Sequence, residues 1–122
     1  MQSVLKKVLL CLALVIALTA FASCASVDRY NNTISAINNT CTNLPEDIVQ
    51  CIPFSYNGGW CSIAIVYNGI DGNNHVVANC NHQILFDLLF RPNEEYIASL
   101  PGGKTLRVTT NDVRVDTYTI NP

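Results

Sequence analysis

His75 and His82 are the only histidines in the chain, and with Cys80 they form a His-x4-Cys-x-His cluster. Imidazole nitrogen and thiolate sulfur are zinc donors, but structural zinc sites space them as C-x2-C or H-x3-H pairs. No such pair occurs here, and Cys80 is wanted for a disulfide, so no metal centre is expected. The same histidines, with Asp87, Glu94 and Glu95, supply the acid and base types of a small hydrolase. Their spacing matches no catalytic signature, and the chain has no nucleophile elbow, P-loop or dinucleotide fingerprint. No catalytic residue and no cofactor are therefore assigned. A small secreted hydrolase using His75 or His82 as acid and base is the rival class.

A second chemistry is contact. Trp60, Tyr56, Phe54 and Tyr67 lie on either side of an Asn57-Gly58-Gly59 turn. Trp and Tyr carry binding hot spots, so these four form a candidate patch. The competing expectation is ordinary core, the usual place of the single Trp of a small domain.

The compartment follows from the N-terminus. Lys6 and Lys7 are basic, Val8 to Ala22 is apolar, and Ala22, Ser23 and Ala25 are small. That order resembles a secretory signal peptide, which implies removal of residues 1–25 and a single small secreted domain over 26–122. Ala20-Phe21-Ala22 offers an earlier cut. Phe21-Ala22-Ser23-Cys24 resembles a bacterial lipobox with Phe where Leu is usual, and implies lipidation at Cys24 and a cell-envelope lipoprotein. No membrane span is expected, because the run falls short of the ~20 residues needed.

Export puts the cysteines in an oxidising compartment. Cys11 leaves with the signal. If Cys24 is also removed or lipidated, Cys41, Cys51, Cys61 and Cys80 remain, an even set with three possible pairings. Without Lys6 and Lys7 the net charge is about −4. There is no basic stripe, so no nucleic-acid partner is expected. Nor is there a polybasic segment for an anionic membrane surface.

The elements that position these residues read as follows. Ile34, Ile37, Cys41 and Leu44 recur on one helical face, which predicts a short amphipathic helix within residues 26–43, ending before Pro45. Asn31 and Asn38 head N-x-T sequons, candidate glycosylation sites in a eukaryotic source. Ile48–Ile52 predicts an edge strand, broken by Pro53.

Cys61–Tyr67 and His75–Cys80 predict a hairpin around the turn residues 69–74. A turn centred between Ile70 and Asp71 sets Val66 opposite His75, Ile65 opposite Val76 and Cys61 opposite Cys80. This register sorts most apolar from polar residues. Directly paired strand positions lie within disulfide reach. A turn centred on Asp71-Gly72 competes and makes the cysteines diagonal neighbours. Cys61–Cys80 is predicted, and Cys41–Cys51 by elimination.

Ile84–Phe90 fits strand and helix periodicity; a buried strand is expected because Arg91-Pro92-Asn93 ends it early. A partner-facing surface is the alternative reading of that run. Glu94–Leu100 reads as a helical turn or a strand. Lys104–Thr110 and Val113–Ile120 predict a terminal hairpin about Asn111-Asp112.

The expected fold is α+β: a short N-terminal helix packed on an antiparallel sheet built from β-hairpins, stapled by two disulfides. An all-β sandwich or barrel is the runner-up. The expected function is a secreted, non-enzymatic binding protein (effector, inhibitor or recognition module) acting on an extracellular protein or carbohydrate. A lipid-anchored envelope protein modified at Cys24 is a further reading.

Overall fold

The computed structural model describes residues 18–37 and 41–122. Helix α1 (Leu18–Ala36) precedes seven strands: β1 (Ile48–Tyr56), β2 (Gly59–Asn68), β3 (Asn73–Cys80), β4 (Gln83–Leu89), β5 (Glu95–Ser99), β6 (Thr105–Thr110) and β7 (Val115–Asn121). β1–β4 form one antiparallel meander and β5–β7 a second. The class is α+β, stapled by Cys41–Cys51 and Cys61–Cys80, and neither sheet closes into a barrel. The strands divide between two sheets because Pro92 lies in the break after β4, and a proline cannot donate to a continuing ladder.

Three layers result. Cys61, Ile63 and Ile65 of β2 join Val76, Ala78 and Cys80 of β3 on one face of the first sheet. They pack on Tyr96, Ala98, Leu106, Val108 and Val115 of the second sheet. On the opposite face Ala64, Val66 and Val77 meet Tyr30, Ile34 and Ile37 of the helical segment. β2 is thus covered on both faces, and Ile63–Val66 are wholly buried. A strand covered on both faces reads as an unbroken apolar run.

The β2–β3 register is the one that the polar–apolar sorting favours: Cys61 faces Cys80 and Val66 faces His75. Its turn, Gly69–Gly72, is closed by the Gly72 amide donating to the Asn68 carbonyl at 2.9 Å. The β1–β2 turn holds Asn57 at φ 49° and Gly58 at φ 74°. Two positive φ values make the tight hairpin turn whose twist matches its strands. A Cβ at Gly59 would stand 2.3 Å from Oδ1 of Asn81, so a larger residue there requires the Asn81 side chain to move.

Four expectations change. The helix ends at Ala36, before the Asn38-Asn39-Thr40 run, whose short polar side chains compete with the helical backbone. Cys41 and Leu44 lie in irregular chain after the helix, not on one helical face with Ile34 and Ile37. β1 continues through Pro53 to Tyr56, which is tolerated because β1 is a sheet edge. Ile84–Leu89 does form a strand, but it is not buried: β4 is the other edge of its sheet, and Ile84, Leu88 and Leu89 are exposed.

Glu95–Ser99 takes the strand alternative. The terminal hairpin forms as β6 and β7, with Asn111 Oδ1 accepting the amides of Val113 and Arg114 in its turn.

Candidate functional site

The four aromatic residues of the candidate patch do not assemble. Phe54 and Tyr56 are buried in the core between the sheets. The Tyr56 hydroxyl donates to the Pro101 carbonyl. Trp60 is 61% exposed and Tyr67 is 42% exposed, at opposite ends of β2. Seven positions of strand place them ~24 Å apart. Trp60 thus departs from the expectation of a packed tryptophan. It sits beside the β1–β2 turn, where its carbonyl accepts the Asn81 amide at 2.9 Å. On the same face lies exposed Ile84, in the next row of the ladder, opposite Asn79.

Another constellation was only half visible in the sequence. The imidazole of His75 bridges two carboxylates: Nδ1 lies 2.7 Å from Asp87 Oδ1, and Nε2 lies 2.6 Å from Asp71 Oδ2. The Tyr30 hydroxyl donates to the other oxygen of Asp87 at 2.8 Å. The Tyr30 and His75 rings meet edge to face, centroids 5.8 Å apart. A helix, two strands and a turn therefore converge on one histidine. Asp71 is itself fixed, since its Oδ1 accepts the Asn73 amide at 2.9 Å.

Carboxylates only accept, so a ring that donates to both is doubly protonated. Burial opposes the charge on His75, but hydrogen bonds to Asp71 and Asp87, and their negative charge, outweigh it and raise the pKa. The Asn73 amide, with His75 second, lowers the pKa of Asp71. Burial, followed by the hydrogen bond to Asp87, pushes the Tyr30 phenol well above its ordinary value.

This arrangement is poorly suited to catalysis. A general base needs a free nitrogen within reach of substrate, and both nitrogens of His75 are occupied. The two carboxylates flank opposite ring atoms and do not converge on a point. Among the described residues no group of three His, Cys, Asp or Glu could hold a metal ion. His82 lies in the β3–β4 turn at φ 66°, at the far end of β3 from His75, and takes no part. Glu94 and Glu95 lie beyond β4; Glu95 pairs instead with Arg107.

Beside the cluster is a cavity of about 160 Å³ lined by Ser26, Arg29, Tyr30, Asp47, Tyr67 and Gly69. Its one cation is spoken for: Arg29 donates to Asp47 at 2.6 and 2.9 Å and to Glu46 at 3.3 Å. The edge of β4 is also partly closed. The Tyr96 hydroxyl donates to the Leu89 carbonyl at 2.9 Å and accepts the Arg91 amide at 2.8 Å.

Asn31 lies exposed on α1, but Thr33 of its sequon is buried, with its hydroxyl given to the Arg29 carbonyl at 2.8 Å. Asn38, residues 1–17 and the Cys24 side chain lie outside the described residues. Among those described, no helix is long and apolar enough to cross a membrane.

The sequence named His75 and Asp87 but not their link. The β2–β3 register fixes His75, whereas Asp87 arrives through a β3–β4 register shift between Ala78 and Asn79 that no turn residue announces. Tyr30 arrives by helix phase: Tyr30, Thr33, Ile34 and Ile37 are the buried stripe. Only the Asp71–His75 spacing offered a local hint. Comparison with known proteins gives no match: no family model, no curated protein and no solved structure is similar to this chain.

Proposed function

We propose that this chain is exported and acts outside the cell as a binding protein without catalytic activity. Its ligand is an extracellular protein or carbohydrate, engaged by the surface around Trp60. The observation that carries the reading is the exposure of Trp60, at 61%. An indole left in water beside a rigid hairpin turn is the kind of anchor that binding surfaces use. Two disulfides in a domain of this size support an oxidising compartment. The occupied nitrogens of His75 weigh against the hydrolase reading.

Because Trp60 is the only tryptophan, its fluorescence reports this surface alone. The test titrates the disulfide-bonded protein with defined extracellular oligosaccharides and with fractionated extracellular proteins. A ligand that shifts Trp60 emission to the blue, and whose binding weakens tenfold or more in Trp60→Ala, supports the reading. A ligand bound equally well by Trp60→Ala places the binding elsewhere. Hydrolysis of any tested substrate that is lost in His75→Ala or His82→Ala revives the enzyme.

A further inference from the structure

We propose that His75 is a proton-operated joint: doubly protonated, it holds the β2–β3 turn against the sheet through Asp71, and losing one proton releases that turn. The argument starts from hydrogen-bond chemistry. Asp71 and Asp87 sit on opposite nitrogens of one ring, at 2.6 and 2.7 Å. Only an imidazolium donates to both. A neutral ring turns a lone pair toward one of the two carboxylates, and a lone pair facing an anion at that distance is repulsive. One contact must open.

The surroundings decide which. Asp87 belongs to β4, is paired across the ladder with Val77, and keeps the Tyr30 hydroxyl on its second oxygen. Asp71 belongs to an exposed turn, beside Ile70, which is 51% exposed, and Gly72 at φ 74°. The Asp71–Asn73 contact runs only to the adjoining first residue of β3, so it fixes Asp71 locally and does not join it to β4 or α1. The neutral ring therefore keeps its proton on Nδ1, facing Asp87, and the contact between Nε2 and the turn opens.

The groups facing His75 are Asp71 from the turn, Asp87 from β4 and Tyr30 from α1. Arg29, which lines the neighbouring cavity with Tyr30, is paired with Asp47 and Glu46. The raised pKa of His75 sets the direction: the joint stays closed to higher pH than a free imidazole would hold its proton, and opens as pH rises through the folded pKa. Gly69 of this turn lines the cavity that Tyr30 and Arg29 share, so opening also changes the rim of that cavity. None of this rests on Trp60, which lies at the other end of β2.

The test is NMR of the disulfide-bonded protein across pH, following the His75 ring protons and the backbone order of Ile70–Gly72. The turn is expected to lose order as His75 titrates, while β2 and β3 keep theirs. Asp71→Asn is expected to lower the proton affinity of His75 tenfold or more. Asp71 is half in solvent, so this variant folds. Turn order that is unchanged through the His75 titration overturns the proposal. So does an Asp71→Asn protein whose His75 titrates as in the parent.

Discussion

Tyr30 and His75 touch edge to face and share a single partner, Asp87, which accepts one hydrogen bond from each. The pair ties α1 to the first sheet, and its effect on stability has a definite sign. His75 has a folded pKa raised above its unfolded value near 6.5. Its contribution is therefore complete below about pH 6.5 and is lost as pH rises through the folded pKa. Asp71 is lowered, so its contribution is present above about pH 3.9 and fades as pH falls through its depressed folded value. Urea midpoints of the parent and His75→Ala should lie furthest apart between these limits and draw closer as pH rises through the folded pKa of His75. A gap that widens above the titration of His75 would contradict the assignment.

Tyr30→Phe removes only a hydroxyl, yet it leaves Asp87 one donor short. Hydrogen bonds to charged groups contribute about 1.5–3 kcal/mol, and a loss in that range is expected at neutral pH. The same substitution should abolish the phenol that titrates latest in an alkaline absorbance titration. An unchanged urea midpoint would show that the bond is not formed in solution.

Each disulfide should be worth roughly 3 kcal/mol from the loop it closes, with separations of 10 and 19 residues. Replacing Cys61 and Cys80 together by Ala is expected to be the harsher change, because both side chains lie in the core between the sheets. Intact mass of the exported protein should begin at Ser26 and rise by about four protons on reduction. A Cys41–Cys61 or Cys41–Cys80 peptide after digestion would refute the pairing.

How legible this fold was depended on whether local chemistry or distant packing decided each element. The β2–β3 hairpin was readable because alternation and turn residues left two registers with the same faces, and setting Cys61 directly opposite Cys80 favoured one of them. The exposure of β4 was not. Its apolar residues suit a core strand, and only the count of strands in each sheet leaves it at an edge. Trp60 was misplaced for a similar reason, since nothing in its neighbours shows that α1 stops short of covering it. Of the His75 cluster, residue types were visible and geometry was not. Its members come from four elements, and a single register shift in β3–β4 decides whether Asp87 meets the ring.

His82 occupies a left-handed conformation at φ 66° in the two-residue turn between β3 and β4, directly after Asn81 at φ 50°. That region disfavours a side chain with a Cβ by roughly 1–2 kcal/mol, and glycine enters it freely. Part of the gain is offset by the greater freedom of glycine in the unfolded chain. His82→Gly is expected to raise stability by about 0.5–1 kcal/mol. It should leave the His75 titration untouched, since the two histidines belong to opposite ends of β3. Destabilisation on thermal melting would mean that the imidazole of His82 makes a contact worth more than the backbone relief.

Asn79 is the one fully buried side chain of the core whose polar atoms find no hydrogen-bond partner among the described residues. It stands on the helix side of β3, between Ser62 of β2 and Ile84 of β4. Ser62 gives its hydroxyl to the Ile37 carbonyl at 3.2 Å, so it does not serve Asn79. An orphaned buried amide costs about 1–3 kcal/mol in desolvation. Leucine has the same branched connectivity and removes that cost, although its two methyl groups are bulkier than the amide and the packing must take them up. Asn79→Leu is therefore expected to raise the urea midpoint with an unchanged slope. A lowered midpoint would instead show that the amide has a hydrogen-bond partner in solution. Amide exchange at Ile37 and Ser62 separates these outcomes: it slows or stays constant in the first case and quickens in the second.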